Sequence, residues 1–436
     1  MFKLKCDFFV IFLHMMNRCP MIRKVLFCIL AAITLLTSCK SFKAIERSDF
    51  ERSDSAFVKY VREEKIPLSD NNRVTMLDGA QQKFDSLFND IRNAKHHVHL
   101  EYFNFRYDSI NNILLRLLAD KAKEGVEVRA LFDAFGNLSN DRPLRRKDLK
   151  AIRATGVQIE KFDPFNFPWI NHAWARDHRK IVVIDGEKAY IGGINVADYY
   201  IDGLEGVGEW RDIHSKVEGE AVNDIQDIFI EMWNKETKEN IGGSEYFSED
   251  TGKGEAEIAV VDRWPHRTPR RIREAYANAI HSAKDSIILV NPYFLPMPII
   301  RKAIEKAIDD SVKVTIILSE KSDVKLMPDG VWRTGYKLMK KGAKVYMYTG
   351  GFNHAKAMCI DGQFCTVGSA NFNSRSLKYD YETNIFIFGE KETAELEELL
   401  RNDMRQSYLL TEEIYKKRSC WRRFCGWLAA FLSPIL

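Results

Sequence analysis

The sequence predicts an α/β fold built from two related, pseudo-symmetric halves. We expect each half to be a mainly parallel β-sheet flanked by helices, with a shared site at the interface between the halves. Three observations predict this fold. Short apolar runs alternate with helical patterns, as in βαβ units. Segments of the first half recur in the second half in the same order, and each half carries the same spaced set of polar residues.

The repeat is visible in three pairs of segments. AKHHVHLEYFNF (94–105) resembles AKDSIILVNPYF (283–294), EGVEVRALFD (124–133) resembles DSVKVTIILS (310–319), and ATGVQIEKF (154–162) resembles KKGAKVYMY (340–348). Self-similarity over so long a period predicts a duplicated domain rather than a solenoid. We place the first domain at residues 49–250 and the second at residues 251–415.

The first 48 residues predict a leader rather than part of the fold. A basic start at Arg23 and Lys24 precedes an apolar run of about a dozen residues, too short for a comfortable bilayer span. The run ends in Leu-Thr-Ser-Cys at Cys39, which resembles a bacterial lipobox. We therefore expect a lipid on Cys39, with Met21 as the initiator. The alternative is an uncleaved signal anchor, and both interpretations predict membrane attachment.

The composition is that of a folded globular chain, 45% hydrophobic and 29% charged. The net charge of +4 is close to neutral, which disfavours a nucleic-acid substrate. Local basic runs near a membrane suit anionic phosphates instead. The eight cysteines form no disulfide framework and no metal-binding spacing.

The spaced polar set is the pattern H-x-K-x4-D, which occurs once in each half and is followed by G-[GS]-x-N. Two copies at matching places in a repeat are a far more specific signal than one. The candidate residues are His178, Lys180, Asp185 and Asn195 in the first half and His354, Lys356, Asp361, Ser369 and Asn371 in the second half.

These residue types together suit a phosphate ester. On a strand, His and Lys two positions apart project from the same face. If both strands meet at the interface, lysine charges and asparagine amides surround a phosphate. One neutral imidazole can attack phosphorus, and the other, protonated, can release the leaving oxygen. No cluster of carboxylates remains for a divalent ion, so we expect no metal and no cofactor.

A catalytic imidazole needs a partner for its second ring nitrogen. A carboxylate follows each motif at a similar distance, so we expect Asp212 to orient His178 and Glu382 to orient His354.

Other polar residues lie near the motifs. Asp185 and Asp361 precede Gly186 and Gly362, where we expect them to brace the turn and the local charge rather than to touch substrate. His172 and His214 are further candidates to line the cleft.

The paired motifs resemble the phospholipase D superfamily from about residue 74 to residue 410. The neighbourhoods HLEYFNF, LFDAFG, DHRKIVVIDG, WRDIH, NPYFLP and GSANFNSRSL, with the terminal LSPIL, resemble those of bacterial cardiolipin synthases. The resemblance implies a phosphatidyltransferase that joins two phosphatidylglycerol molecules into cardiolipin and glycerol through a phosphatidyl-histidine. It also implies His178 as the nucleophile. The motif residues leave hydrolysis open, as in a phospholipase D that releases phosphatidic acid, or in a phosphodiesterase or nuclease of the same superfamily.

The resemblance implies phosphatidylglycerol and other anionic phospholipids as partners, and a membrane surface. Residues 416–436 place Trp421, Phe424, Trp427 and Phe431 at helical spacing among arginines. We expect an interfacial helix there, and the alternative is a terminal helix packed on the body. The expected location is the bacterial cell membrane, with the chain peripheral or lipid-anchored through Cys39. The oligomeric state stays open.

Overall fold

The computed structural model describes residues 44–45, 51–164, 174–249 and 252–434. Residues Ile45–Leu436 form one compact unit. The proposed lipid site at Cys39, the candidate His172 and the predicted boundary between residues 250 and 251 lie outside the described residues. That boundary stays a prediction.

Seventeen strands and thirteen helices are found in the described residues. The strands are β1 (Leu68–Asp78), β2 (His97–Tyr102), β3 (Glu127–Asp133), β4 (Gln158–Phe162), β5 (Lys180–Ile184), β6 (Lys188–Gly192), β7 (Glu209–Arg211), β8 (Ile213–Glu218), β9 (Ala256–Arg263), β10 (Ser286–Val290), β11 (Lys313–Ser319), β12 (Lys344–Tyr348), β13 (Gly351–Asn353), β14 (Ala357–Ile360), β15 (Phe364–Gly368), β16 (Glu382–Phe388) and β17 (Ser407–Leu409). The helices are α1 (Ser53–Glu63), α2 (Gly79–Arg92), α3 (Ser109–Lys123), α4 (Ala134–Leu138), α5 (Arg146–Arg153), α6 (Tyr199–Asp202), α7 (Ala221–Thr237), α8 (Arg271–Ser282), α9 (Pro298–Asp309), α10 (Met327–Lys341), α11 (Glu390–Arg405), α12 (Glu412–Lys417) and α13 (Cys420–Leu432).

Fifteen of the strands form one continuous sheet, and its strand order repeats. The first half contributes β4-β3-β2-β5-β6-β8-β1, and the second contributes β12-β11-β10-β14-β15-β16-β9 in the same sense. β17 is added beside β12. The halves meet where β1 pairs antiparallel with β9. The predicted duplication is therefore confirmed as a pseudo-two-fold sheet with its axis near this central pair.

The sheet is mixed, and the expectation that most of its strand pairs are parallel is wrong. Within this sheet only four pairings are parallel, β2 with β3, β3 with β4, β10 with β11, and β11 with β12. The others are antiparallel, because the motif strands β5 and β14 return directly into β6 and β15 through tight turns. Only connections long enough for a crossover helix give parallel neighbours.

Helices cover both faces of the sheet, so the central strands are apolar on both sides. In β5, Val182 and Ile184 belong to the core beneath α2 and α3, whereas Ile181 and Val183 face the core that includes α7 and α11. A motif strand anchored in two cores gives the residues at its start a rigid base. Among the described residues, no helix combines the length and the apolar character needed to cross a bilayer.

A second, two-stranded sheet joins the halves directly. β7 of the first half pairs in parallel with β13 of the second, from Gly351 opposite Glu209 to Asn353 opposite Arg211. Gly351 has φ +138°, and a Cβ there would lie 2.2 Å from the carbonyl oxygen of Glu209. Only glycine permits this close approach. The pair ends immediately before Asp212 in one chain segment and His354 in the other.

Candidate active site

Each motif histidine is held by the backbone of the opposite half. The N–H of His354 donates to the carbonyl of Arg211 at 2.6 Å, at the end of the β7–β13 pair. The N–H of His178 donates to the carbonyl of Tyr381 at 3.0 Å, beside a parallel bridge between Asp177 and Tyr381. The two contacts are related by the pseudo-symmetry of the fold.

Each motif histidine is also paired with a carboxylate from the opposite half. Nδ1 of His178 lies 3.0 Å from Oε1 of Glu382, and Nδ1 of His354 lies 2.7 Å from Oδ2 of Asp212. The expected pairing of Asp212 with His178 and of Glu382 with His354 is therefore wrong. The correct residues were found, but each serves the histidine of the other half.

The physical reason lies in the short bridges between the halves. Arg211, which precedes Asp212, accepts a backbone hydrogen bond from His354 and so brings Asp212 to that imidazole. Tyr381, which precedes Glu382, accepts the matching hydrogen bond from His178. The prediction paired each histidine with the carboxylate that follows it in the same half. A three-residue strand has no sequence pattern that identifies the strand it pairs with, so the crossing was missed.

Donation of Nδ1–H to the carboxylate places the free lone pair of a ring on Nε2. At His354, Nζ of Lys356 also lies 2.9 Å from Nδ1.

The motif lysines are buried beside the histidines. The ammonium of Lys180 donates to the carbonyl of His178, and that of Lys356 donates to the carbonyl of His354. Burial lowers the pKa of Lys180 to about 8, although Glu382 acts in the opposite direction. Burial also lowers the pKa of Lys356 to about 7. These two cations supply the positive charge that a phosphate requires.

Both imidazoles are neutral near pH 7, for reasons that differ between them. Burial, then Lys180 and Lys356, hold the pKa of His178 well below its usual value. Burial and Lys356 lower the pKa of His354 to about 4, and Asp212 acts against this shift. Because Lys356 and His354 both act on His178, the two motifs share one electrostatic environment.

The two carboxylates have different surroundings. Ser369 donates its hydroxyl to Oε2 of Glu382, and burial raises the pKa of Glu382 to about 7. The first half has Gly193 at the position of Ser369, and a Cβ there would lie 2.4 Å from Oδ1 of Asp212. Glycine thus leaves room for the shorter acid, whereas serine bonds the longer one.

The two motif asparagines are buried and hold the loops that follow them. Nδ2 of Asn195 donates to the hydroxyl of Tyr200 at 3.0 Å, and Nδ2 of Asn371 donates to Oγ of Ser376 at 3.3 Å. Each amide thus uses one of its N–H groups within its own half. Contact with a phosphate through the other N–H stays a prediction.

Asp185 and Asp361 lie at the far ends of their strands, in the left-handed region at φ +55° and +53°. The carboxylate of Asp185 accepts from the backbone N–H groups of residues 95–97, and that of Asp361 accepts from residues 284–286. Four or five strand residues, about 15 Å at 3.3 Å per residue, separate each of them from its lysine. They therefore occupy bracing positions at the opposite ends of the motif strands from the histidines and lysines.

His214 is fully buried beneath the turn at Gly192, and the backbone N–H of Ile194 donates to its Nδ1 at 3.4 Å. Burial, then Lys83 and Lys180, hold the pKa of His214 well below its usual value. A place for His214 in the lining of the cleft stays a prediction. No group of three or more His, Cys, Asp or Glu side chains that suits a metal ion occurs in the described ranges.

Aromatic rings that the sequence did not single out surround the histidines. The ring of Phe103 lies 5.0 Å from that of His178. Around His354, the ring centroids lie between 5.4 and 6.0 Å away, and they belong to Tyr200, Trp210, Tyr293 and Phe352. Their closeness in sequence to the motif segments was the only signal that could have predicted them. The repeat could not predict Tyr293, because the equivalent residue of the first half is Asn104, which is not aromatic.

Arg375 is a second residue that the repeat did not reveal. Its Nε contacts Oδ2 of Asp380 at 3.1 Å, and its Nη2 is buried without a hydrogen-bond partner among the described residues. Arg375 also contributes to the lowered pKa of His178. Counting from the motif asparagines, the first half has Tyr199 at this position, so the cation occurs in the second half alone.

A sequence profile described as "Cardiolipin synthase, PLD-like domain" matches residues 87–233 and 276–404. A cardiolipin synthase 2 of Staphylococcus epidermidis is 36% identical over 407 residues, which cover 91% of this chain and 83% of the relative. The chain belongs to the cardiolipin synthase family. A cardiolipin synthase of Listeria monocytogenes is 35% identical over 400 residues, which cover 91% of this chain and 82% of the relative.

A solved structure shares the fold. The phosphatidylserine synthase of Haemophilus influenzae superposes with a TM-score of 0.67 at 13% identity, over 87% of this chain and 99% of that one. Membership of the cardiolipin synthase family confirms the predicted superfamily, the duplicated fold and the predicted enzyme class.

In this member of the cardiolipin synthase family, the site combines two neutral imidazoles with two buried ammonium groups. A neutral imidazole with a free Nε2 is a nucleophile, and an imidazole whose Nδ1–H is held by a carboxylate is a proton carrier. Lysine charges stabilise the negative charge that develops on phosphoryl oxygens.

Proposed function

We propose that this chain joins two phosphatidylglycerol molecules into cardiolipin and releases glycerol, through a phosphatidyl-histidine intermediate. The observation that carries the proposal is the crossed pair of dyads, His178 with Glu382 and His354 with Asp212, around two buried lysines. Two similar imidazoles in one cavity suit a double displacement, in which one histidine bonds to phosphorus and the other moves protons.

In the first step, Nε2 of His178 forms a bond to phosphorus of the donor lipid. Before this step, His354 takes up a proton from solvent at Nε2, because Asp212 and the bound phosphodiester anion both favour its charged form. The bond between phosphorus and the glycerol oxygen then breaks, and Nε2 of His354 gives this proton to the departing oxygen.

The roles follow from the charges around each ring. Burial and the cations Lys180 and Lys356 hold the pKa of His178 well below its usual value, whereas Asp212 favours the protonated form of His354. Glu382 beside His178 is the weaker anion of the two carboxylates, because burial raises its pKa to about 7. A bound phosphodiester anion acts in the same direction as Asp212.

In the second step, a glycerol hydroxyl of another phosphatidylglycerol gives its proton to Nε2 of His354 and bonds to phosphorus. The phosphorus–nitrogen bond breaks, and its electron pair returns to Nε2 of His178. Both histidines regain their starting protonation states. Lys180 and Lys356 stay beside the phosphoryl oxygens throughout and offset their charge.

The acceptor must be a lipid alcohol rather than water, and two features support this. Four aromatic rings surround His354, so apolar surface lies where the acceptor is activated. The acceptor phosphatidylglycerol carries its own phosphate. The unpartnered Nη2 of Arg375 offers a buried donor for it near His178.

The reaction is tested by incubating the purified chain with phosphatidylglycerol and separating the lipid products. We expect cardiolipin and glycerol in equal amounts. Phosphatidic acid as the main product would instead identify the chain as a hydrolytic phospholipase D.

Replacing His178 or His354 with Ala is expected to lower turnover by about 10³-fold or more, because each removes one partner of the double displacement. Circular dichroism and thermal unfolding should show an intact fold. Acid-quenched enzyme with radiolabelled substrate should carry the phosphatidyl group on His178. Label on His354 would reverse the assigned roles, and normal turnover of either variant would contradict the mechanism.

We place this activity at a bacterial membrane, since both substrates are bilayer lipids. Attachment through a lipid on Cys39 belongs to this proposal and is supported by the sequence that precedes this cysteine. A Cys39→Ser variant should lose metabolic labelling with palmitate and cleavage of the leader. Labelling that persists in this variant would rule Cys39 out.

A further inference from the structure

The terminal helix α13 is docked on α10 through small residues. Gly426 and Ala429 are buried against it, and a Cβ at Gly426 would lie 2.5 Å from the carbonyl oxygen of Asp329. The carboxylate of Asp329 binds Arg418 and, at 3.1 Å, Arg422. The helix is therefore part of the body, which agrees with the alternative that its sequence left open.

The opposite face of α13 is an exposed row of aromatic side chains, which we call the aromatic ladder. Trp421, Phe424, Trp427 and Phe431 are 68%, 49%, 48% and 68% exposed. Their successive ring centroids lie 5.7, 5.9 and 5.7 Å apart. Large exposed apolar rows of this kind are uncommon on monomers and mark interaction surfaces.

A cavity of about 360 Å³ lies beside the aromatic ladder, where α10, α12 and α13 meet. We call it the cationic pocket. It is lined by Arg333, Tyr336, Lys337, Tyr415, Cys420 and Arg423.

The positive charges of the cationic pocket are not balanced. Within the part of the chain that the structure describes, Arg333, Lys337 and Arg423 form no ion pair with a carboxylate. The Nε atoms of Arg333 and Arg423 are buried and have no hydrogen-bond partner there. By contrast, Arg418, which precedes α13, and Arg422 within it are both paired with Asp329. An anion with several acceptor oxygens would satisfy the remaining donors.

We infer that the cationic pocket binds the phosphate of an anionic phospholipid while the aromatic ladder enters the bilayer around it. Charge complementarity selects this occupant, because Arg333, Lys337 and Arg423 line the cationic pocket without an ion pair in the described part of the chain. Aromatic side chains prefer the boundary between headgroups and acyl chains, and arginines beside them meet the phosphates. This site is separate from the catalytic cavity and does not depend on which reaction is catalysed.

The geometry also brings the bilayer near the catalytic cavity. α13 runs antiparallel to α10, since Gly426 lies against Arg333 and Ala429, further along α13, lies against the earlier Gly330. The N-terminus of α10 follows Asp323, whose carboxylate accepts from the hydroxyl of Tyr293 at 2.7 Å. The ring of Tyr293 lies 5.9 Å from that of His354. The ladder therefore runs towards the edge of the fold at which His354 lies.

The inference is tested by flotation of the chain from Ile45 onward, one compact unit, with two kinds of vesicle. One is pure phosphatidylcholine and the other contains about a third phosphatidylglycerol. An Arg333→Gln/Arg423→Gln variant should bind the anionic vesicles about 10- to 30-fold more weakly, since each cation near a charged surface adds about tenfold or less. Its weak binding to phosphatidylcholine should not change. A Trp421→Ser/Trp427→Ser variant should lose binding to both.

The matched control is Arg73→Gln/Arg92→Gln, which removes the same charge from exposed positions of the first half. The control should lose less than about threefold. Turnover of a short-chain, soluble phosphatidylglycerol should be unchanged in every variant, which checks the fold and separates this test from that of the reaction. Equal losses in the pocket variant and the control would overturn the headgroup site. Unchanged binding of the tryptophan variant would show that α13 is only a packed helix.

Discussion

At the scale of single residues, the two dyads share a plan and differ in detail. His354 is paired with the shorter Asp212 across Gly193, and His178 is paired with the longer Glu382, which Ser369 also binds. Four aromatic rings surround one histidine, and a cation from Arg375 acts on the other. Pseudo-symmetry places the two dyads together, and these differences support the proposed roles of His178 as nucleophile and His354 as proton carrier.

The crossed pairing can be tested with Asp212→Asn and Glu382→Gln, which keep the shape of each carboxylate and remove its charge. Each should lower turnover by about 10²- to 10⁴-fold, because the imidazole loses the partner that fixes its tautomer. In NMR spectra of ¹⁵N-histidine protein, Asp212→Asn should shift the signals of His354 and leave those of His178 nearly unchanged. Glu382→Gln should do the reverse. Shifts within the same half would contradict the pairing.

The lysines set the expected pH dependence. The pKa of Lys356 is lowered to about 7 and that of Lys180 to about 8, so both ammonium groups lose their protons as the pH rises through this window. Since kcat/KM reports the free enzyme, it should fall between about pH 7 and pH 9 on a soluble short-chain phosphatidylglycerol. A Lys356→Arg variant stays charged, and its residual activity should fall less steeply. A flat or rising profile would contradict this assignment.

At the scale of elements, the motif strands and their braces could be predicted, but the bridges could not. The spacing of His178, Lys180 and Asp185 marks the strand and its end within eight residues. β7 and β13 have three residues each, too few for any periodicity, and their pairing depends on a contact between distant segments. The same limit explains the overestimate of parallel strands, because sequence patterns mark strands without marking their direction.

Replacing a bracing aspartate should lower the stability of the fold and leave the catalytic step largely intact. Asp361→Ala removes a carboxylate that accepts from three backbone N–H groups, so the free energy of unfolding should fall by about 2 to 4 kcal/mol. Urea unfolding measures this loss. Turnover at 25 °C should stay within about tenfold of the parent, far above that of His354→Ala.

Asp285→Ala is the matched control, since its exposed pair with Lys313 should contribute about 0.5 kcal/mol or less. If Asp361→Ala abolished turnover at full stability, Asp361 would instead belong to the chemistry.

At the scale of the whole molecule, the repeat predicted the duplication and the shared site. It did not predict that both halves join in one sheet. The β1–β9 pair that joins them lies between segments almost two hundred residues apart, and β1 is largely polar. Pairing between segments so far apart leaves no local pattern in the sequence. A buried strand such as β10, by contrast, is visible as a short apolar run.

Because each dyad takes one residue from each half, separate halves of the chain can test the crossed pairing. Chains covering residues 45–250 and 251–436 should each be inactive alone, because either fragment holds one histidine and the carboxylate of the other dyad. Coexpression should restore turnover if the β1–β9 and β7–β13 pairs reform. A His178→Ala fragment is the control that should prevent rescue. Turnover by a single fragment that is monomeric in solution would contradict the crossed site.

The crossing also constrains how such a molecule arises. In an ancestor made of two identical chains, every catalytic pair would be shared between the subunits, and both pairs would have to be the same. An exchange of aspartate for glutamate, or of glycine for serine, would then alter both at once. Only two separately encoded copies allow each position to vary alone. The differences between Gly193 and Ser369, and between Tyr199 and Arg375, are therefore open to a duplicated sequence and closed to a symmetric pair of identical chains.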